Sequence, residues 1–379
     1  MTAPWELASD SEHRVAMEVL LRGPISRTEL ARRLELSQPS LSRLTKRLVR
    51  HGLLIEVGRV DSDGAGRPAI LLDIESSSHH FAGIKVTGQY ARGALVDFRG
   101  EVVEIAETPL SGTEPERVAD TVAAVVRELD RHTRSTGLGV ALGGQVVNGS
   151  TVRHAGFLGW EEVDFAALVE ARIERPTIVQ NDVAALLAAE HWFGIGREAE
   201  TFVVITVGAG VGFGAVVHDR PIEGEDFGLG LISHWPLDCA GPPCSQGHRG
   251  CAQAMLTEAS ILSRAGAALG REVGWAELID LAKQGQPAAR QQVEGAASAL
   301  GRFVGEVASL FLPGAVVLSG EGVDIAAIGN RQLTEAIASL SHPAARPPRV
   351  VIREPETVLW SRGAAIPALQ VFARGGVTE

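Results

Sequence analysis

Cysteine, unbroken apolar sequence and net positive charge are all scarce in this 379-residue chain. Its three cysteines lie between 239 and 251, and an odd, clustered set builds no disulfide framework. Such a cluster suits a metal or ordinary thiols. Trp5, Glu6, Asp10 and Glu12 interrupt any apolar run near the N-terminus, so no secretory signal is read there. The uncharged stretch 202–218 carries glycines at 208, 210, 212 and 214, which suit a β-hairpin, and it falls short of a membrane-spanning helix. A soluble, cytoplasmic protein with no membrane partner is expected. The formal charge of −11 argues against a protein that coats nucleic acid.

Positive charge is instead concentrated locally. Residues 22–70 hold ten Arg and Lys against five Asp and Glu, a local +5 that leaves −16 for the rest. An acidic body suppresses non-specific association with DNA, so recognition rests on one small surface. Within that stretch, Ser26-Arg27-Thr28-Glu29 reads as a capping box, the Ser26 hydroxyl capping the Glu29 amide while the Glu29 carboxylate reaches back. The helix it opens buries Leu30, Ala31 and Leu34 and turns at Glu35-Leu36. Ser37 suits the N-cap of a second helix, with Pro39 tolerated in its first turn. Leu41, Leu44 and Leu48 fall at i, i+3, i+7 and face inward. Gln38, Ser40, Ser42, Arg43, Lys46 and Arg50 lie outside and supply donors for phosphates and base edges. This is the helix-turn-helix pattern. Ser37, Gln38, Ser40, Ser42, Arg43 and Lys46 are the candidate DNA contacts of the second helix.

After Gly52, residues 53–57 and 69–73 read as two strands of a wing. The polar loop between them ends in Gly66-Arg67-Pro68, which would hold the Arg67 guanidinium forward on an extended backbone, a shape that enters a narrow A·T-rich minor groove. A solvated turn with Arg67 paired to an acid is the plainer reading of the same residues.

From Phe81 the texture alternates between β and α. Strands are expected at 81–88, 91–98, 101–106, 137–142, 176–179, 202–207, 212–218 and 315–318. Helices are expected at 118–134, 164–173, 182–192, 256–270, 274–284, 287–311 and 364–373. Two βββαβα-like halves, each opening on a glycine-turned hairpin, suggest a duplicated α/β body with a cleft between lobes. The expected division is 1–78 for the winged helix-turn-helix, 79–195 with 360–379 for a first α/β lobe, and 196–359 for a second lobe with a metal loop and dimer contacts.

The order of motifs resembles that of the ROK family (repressors, open reading frames and kinases). The head with its Gly-Arg-Pro wing is followed by Val179-Gln180-Asn181-Asp182 before a helix, by Thr206-Val207-Gly208-Ala209-Gly210-Val211-Gly212-Phe213-Gly214, and by His234 with Cys244 and Cys251. The resemblance covers nearly the whole chain and implies a two-lobed body of the sugar kinase, Hsp70 and actin type. In the family's kinases the first hairpin carries an Asp-x-Gly-Gly-Thr phosphate loop. Here the run is Gly83-Ile84-Lys85-Val86-Thr87-Gly88-Gln89. A lysine where the kinases hold a metal-binding carboxylate opposes Mg²⁺, and phosphoryl transfer depends almost wholly on positioning and charge neutralisation. Neither ATP nor Mg²⁺ is expected, and the body reads as a non-enzymatic sensor. Without a matching first loop, Gly208 to Gly214 reads as a tight hairpin and Gly320-Glu321-Gly322 as structural.

Asn181 and Asp182 match the family's pair that hydrogen-bonds sugar hydroxyls, although an Asx pair before a helix is also an ordinary N-cap. His234 matches a sugar-contacting histidine, but Leu231 stands in place of the glutamate of that segment and Phe157 in place of an asparagine upstream. The loss of two polar partners points to a less polar or differently decorated sugar, or to a lost ligand response. His154 either replaces one of those polar groups or is a plain exposed histidine. The family's zinc site implies His234, Cys244 and Cys251 as ligands, with Gln246 in place of the middle cysteine and Cys239 or His248 available to complete the set; Cys239 is the expected fourth ligand of a structural zinc. A metal-free loop is the alternative.

These readings converge on a transcriptional regulator of the repressor kind. Its partners would be double-stranded operator DNA, a sugar or sugar derivative bound between the lobes, and a second copy of the chain. A homodimer is expected, with a tetramer as the alternative, because two heads read a two-fold site. An active sugar kinase with an accessory head, and a ligand-independent or metal-responsive regulator, are the competing functions.

Overall fold

The structure, a computed structural model, describes residues 9–60, 69–354 and 358–375. It opens on a helix the sequence reading omitted, Asp10–Arg22. Ser9 caps it through its hydroxyl, which accepts from the Glu12 amide at 3.3 Å. Asp10 and Glu12 in the first turn and Arg22 in the last complement its dipole. The helix buries Val15, Ala16, Val19 and Leu20.

Helices Arg27–Leu34 and Gln38–Arg50 follow, with Ser26 and Ser37 as their N-caps. Glu35 takes a left-handed conformation at φ 55°, and the Leu36 amide closes the turn on the Ala31 carbonyl at 3.0 Å. Only half of the capping box forms. The Ser26 hydroxyl accepts from the Glu29 amide at 3.2 Å, while the Glu29 carboxylate turns to Arg32 and Arg33. In the second helix the buried stripe is Leu41, Thr45 and Leu48, and Leu44 is only half-buried. Thr45 can go inside because its hydroxyl donates to the Leu41 carbonyl at 3.0 Å and accepts from Arg27 Nε at 3.2 Å. The head is completed by a sheet in which Ala69–Ile74 lies between Ile25–Ser26 and Leu54–Val60. The wing tip with Gly66, Arg67 and Pro68 lies outside the described residues.

The chain forms two compact units. One holds the described residues up to Leu142, then Val147–Arg197 and those from Trp360 onward. It therefore contains the head together with the first lobe. Its sheet runs in the order Thr177–Asn181, Gly137–Leu142, His80–Val86, Tyr90–Asp97, Val102–Pro109, the first three parallel and the rest antiparallel. The C-terminal helix Val358–Ala373 returns to this sheet at two glycines. A Cβ at Gly83 would lie 2.1 Å from the Ser361 carbonyl oxygen, and one at Gly139 1.8 Å from that of Ala364. The hairpin Thr151–Ala155 with Trp160–Asp164, also not anticipated, is inserted before helix Phe165–Ile173.

The other unit holds Gly143–Val146 and the described residues of Glu198–Leu359. Its sheet order is Arg220–Pro221, Val211–Val217, Phe202–Val207, Ala315–Ser319, Arg349–Ile352. Helix Pro287–Phe311 buries Leu300, Phe303 and Val304 in its core. Helix Asn330–Leu340 crosses it at Gly301, where a Cβ would lie 2.4 Å from the Leu333 carbonyl oxygen. No helix among the described residues is long and apolar enough to cross a membrane.

Candidate functional site

On helix Gln38–Arg50, residues Gln38, Arg43, Lys46 and Arg50 are exposed. Arg43, Lys46 and Arg50 fall opposite the buried stripe and have no carboxylate partner among the described residues. Other cations of the head are engaged. Arg47 pairs with the buried Glu12 at 3.1 Å, Arg27 with Glu56 at 2.7 Å, and Arg33 with Glu29 at 2.8 Å. The hydrogen bonds of Arg32, countered in part by desolvation, and those of Arg33 pull the Glu29 carboxyl down to about 2. Ser37 is spent on its cap: its hydroxyl accepts from the Ser40 amide at 3.4 Å and donates to the Ser40 hydroxyl at 3.0 Å. Ser42 is half-buried. The groups left to reach outward are Gln38, Arg43, Lys46 and Arg50.

In the first lobe, the parallel strands His80–Val86 and Thr177–Asn181 flank Gly137–Leu142, so Lys85 and Asn181 finish at the same edge of the sheet. Lys85 is buried, and its ammonium makes a short ion pair with Asp182 Oδ2. That ammonium also lies 5.0 Å from the centroid of the Trp360 ring. Asp182 Oδ1 accepts from the Val183 amide at 2.9 Å, and Asn181 Oδ1 accepts from the Val183 and Ala184 amides at 2.9 and 3.2 Å. Both readings of the Asx pair thus share one place, since Asn181 is the N-cap of helix Asp182–Phe193.

The turn after Lys85 closes on itself. The Thr87 hydroxyl accepts from the backbone amides of Gln89 and Tyr90 at 3.2 Å each and donates to the Tyr90 carbonyl at 3.2 Å. Those amides are the kind of donor that would cradle a phosphate, and a side chain has taken them. Beside this turn lies the tip of the inserted hairpin, since a Cβ at Gly88 would come within 3.3 Å of the Phe157 carbonyl oxygen. Phe157 is 66% exposed. His154 on the same hairpin is exposed, with Nδ1 at 2.6 Å from Glu161 Oε1.

In the second unit, the turn between Phe202–Val207 and Val211–Val217 is acidic rather than phosphate-seeking. A Cβ on Gly208 would meet Glu321 Oε2 at 2.6 Å, and the Glu258 amide donates to the Gly208 carbonyl at 2.9 Å. Burial, with the Glu321 charge adding to it, raises the Glu258 carboxyl above its ordinary range. Two carboxylates at this turn oppose a polyphosphate by like charge.

His234, Cys244, His248 and Cys251 form the remaining constellation, with one ligand atom from each lying within 4.8 Å of the others. Cys244 Sγ lies 3.8 Å from His234 Nδ1 and 3.6 Å from His248 Nδ1, and Cys251 Sγ lies 3.8 Å from His234 Nδ1. A tetrahedral zinc with ordinary Zn–S and Zn–N bonds requires S···N edges of about 3.6 Å. The donor set and spacing fit that ion. The expected fourth ligand, Cys239, is exposed and outside the group; His248 takes its place because the loop reverses at Gly247, φ 86°, with the Cys244 amide donating to the His248 carbonyl at 2.8 Å. The Gln246 amide donates to Cys244 Sγ at 3.4 Å. Burial raises the Cys244 thiol, but hydrogen bonds, the Gln246 amide foremost, bring it below its usual range. His234 is thus turned to the cysteines, where it was also expected to contact sugar.

A model of the ROK family matches residues 81–363, and one of the MarR family matches residues 9–67. The chain is similar to the xylose repressor of Bacillus spizizenii, 22% identical over 331 residues that cover 86% of each chain. It is also similar to the DNA-binding transcriptional dual regulator NagC of Escherichia coli K12, 28% identical over 79% of this chain and 77% of that one. Among solved structures, a ROK family transcriptional regulator described as a homologue of the E. coli MLC protein superposes with a TM-score of 0.78 at 22% identity, covering 97% of this chain and 96% of that one.

Proposed function

The chain belongs to the ROK family, and on that premise we propose that it is a transcriptional regulator, a repressor, whose head reads operator DNA and whose body senses a carbohydrate without catalysing its phosphorylation. The observation that carries this reading is the Lys85–Asp182 ion pair. An aspartate that is to accept a sugar hydroxyl proton has to be free to do so, and here a resident ammonium already neutralises it. In the first lobe the Thr87 hydroxyl removes amides that a phosphate would need, and in the second unit Glu258 and Glu321 oppose a phosphate at that unit's own glycine turn. The exposed donors of Gln38–Arg50 stay available to DNA.

A sugar or sugar derivative as effector is supported by relatives named as xylose and N-acetylglucosamine repressors. Asn181 and Asp182 are the proposed contacts, with Phe157, whose carbonyl lies against the Gly88 turn, offering an exposed apolar surface and His154 a polar group on the same hairpin. His234, Cys244, His248 and Cys251 would hold a zinc with four protein ligands, and such an ion would serve structure rather than catalysis. Two copies of the chain would present paired heads to a two-fold operator, Arg67 of each wing entering the flanking minor groove. The test is direct. Full-length protein should enrich a two-fold duplex from a random pool, and a screen of mono- and disaccharides should find one that changes its affinity for that duplex. Sugar-dependent ATP turnover that vanishes in Asp182→Asn would overturn the proposal.

A further inference from the structure

The head is attached to the first lobe by more than its linker. The tight turn Asp97-Phe98-Arg99-Gly100 is held by hydrogen bonds: Asp97 Oδ1 accepts from the Arg99 and Glu101 amides at 2.8 and 2.9 Å, and Arg362 Nε donates to the Gly100 carbonyl at 2.6 Å. From this turn the Arg99 guanidinium reaches the last carbonyls of helix Asp10–Arg22, donating to Leu20 and, at 3.1 Å, to Val19. It also pairs closely with Asp73 of the wing strand Ala69–Ile74. One side chain therefore ties the lobe to both the first helix and the wing.

Arg197 supplies the second tie. Its Nη2 donates to the Gly23 carbonyl at 2.7 Å, and its own carbonyl accepts from Arg22 Nη1 at 3.2 Å. Both guanidiniums thus lie at the negative end of the first helix, where a cation is favoured. The fit leaves no slack: a Cβ on Gly23 would lie 2.6 Å from Arg99 Nη2. The linker is pinned as well, the Phe98 amide donating to the Ser76 carbonyl at 2.9 Å. Burial, and secondarily the Arg197 charge, pushes Arg99 down to about 10.

Arg197 has a further property. It ends the turn that follows helix Asp182–Phe193, and the chain passes into the second unit at Glu198. The buried Glu190 locks helix and turn together by accepting the Ile195 amide at 3.1 Å. A twelve-residue helix, about 18 Å long, therefore has Asp182 as its first residue and the head's tie just beyond its last. A packed helix moves as a unit more readily than it deforms.

We propose that Arg99 and Arg197 are positioning residues that clamp the DNA-reading head onto the first lobe, and that a change at Asp182 is delivered to the head along helix Asp182–Phe193 through Arg197. The inference rests on the regulator reading, and it names the route by which that site controls DNA affinity.

The experiment is a double-mutant cycle on the full-length protein, measuring the Kd for the duplex that wild type enriches from a random pool. Asp182→Asn removes the charge that holds Lys85 and perturbs the first turn of the helix without requiring the effector. It should shift the Kd about fivefold or more, and in the Arg197→Gln background that shift should disappear. Arg197→Lys, which keeps a charged donor at the negative end of the first helix, should restore part of it. Thermal unfolding of each variant separates lost coupling from a lost fold. Effects that simply multiply in the double mutant would overturn the clamp and leave the regulator reading intact, as would a wild-type-like Kd for Asp182→Asn. If wild type enriches no duplex at all, both readings fall together.

Discussion

At Lys85 one side chain answers two questions about the body. It stands where the resemblance puts the kinases' metal-binding carboxylate, and its ammonium pairs with Asp182, the carboxylate proposed above to be unavailable as a base. Removing it should not restore a kinase. Lys85→Asp leaves the Thr87 hydroxyl on the Gln89 and Tyr90 amides and leaves Glu258 and Glu321 in place. An assay of sugar-dependent ADP release should stay at background for wild type and for this variant. Lys85→Met should instead cost stability, about 3 kcal/mol in urea unfolding, because it strands a largely buried carboxylate. Glu258 yields a prediction of opposite sign. Its carboxyl is raised in the folded state, so its contribution to stability is complete below the ordinary carboxyl range and is lost as pH rises through its folded value. Glu258→Gln should raise the Tm at neutral pH, with the gain fading in acid. The sequence exposed Lys85 and Thr87 as departures from a phosphate loop, but not that Thr87 would consume the amides. That depends on the tightness of a turn, which residue identity alone does not set.

The elements show where chain spacing suffices and where it does not. Ser26 and Ser37 announced two helices because a cap is a local device, fixed by residues three apart. Ser9, Asp10 and Glu12 mark the start of Asp10–Arg22 just as locally, but the same acids also interrupt an apolar run, and that second signal hides the helix. Thr45 in the buried stripe could not be inferred from polarity, since its hydroxyl is satisfied by its own helix and by Arg27. The metal loop is the clearest case. Ligand chemistry, thiolate over imidazole, favours Cys239, but the reversal at Gly247 carries His248 back to Cys244 and leaves Cys239 outside the group. Elemental analysis of protein purified without chelator should therefore give about one zinc per chain. Cys251→Ser and His248→Ala should lower that content and Cys239→Ser should not. Equal loss in all three would return Cys239 to the site.

Across the whole molecule, the division expected from sequence separated residues 1–78 from the first lobe, whereas the compact unit contains both. Composition marks the head as basic and the body as acidic, and that contrast is what the sequence makes visible. Beside the Arg99–Asp73 pair, the side-chain ties that join them run from arginines to backbone carbonyls, Arg99 to Leu20 and Val19, Arg197 to Gly23 and Arg22 to Arg197. Main-chain acceptors leave no trace in a sequence. The two α/β halves were legible because each alternates strand and helix around glycine turns, although strand Arg349–Ile352 and helix Asn330–Leu340 were not separated from the loops around them. That this molecule reads duplex DNA through the outward face of Gln38–Arg50 is tested most directly by titrating wild type and Arg43→Ala against the duplex that wild type enriches from a random pool. Wild type should prefer that duplex over bulk DNA by about a thousandfold or more, and Arg43→Ala should lose about 1–3 kcal/mol of binding with relaxed selection at one base position. Enrichment of no duplex, or an Arg43→Ala variant indistinguishable from wild type in affinity and selectivity, would contradict it.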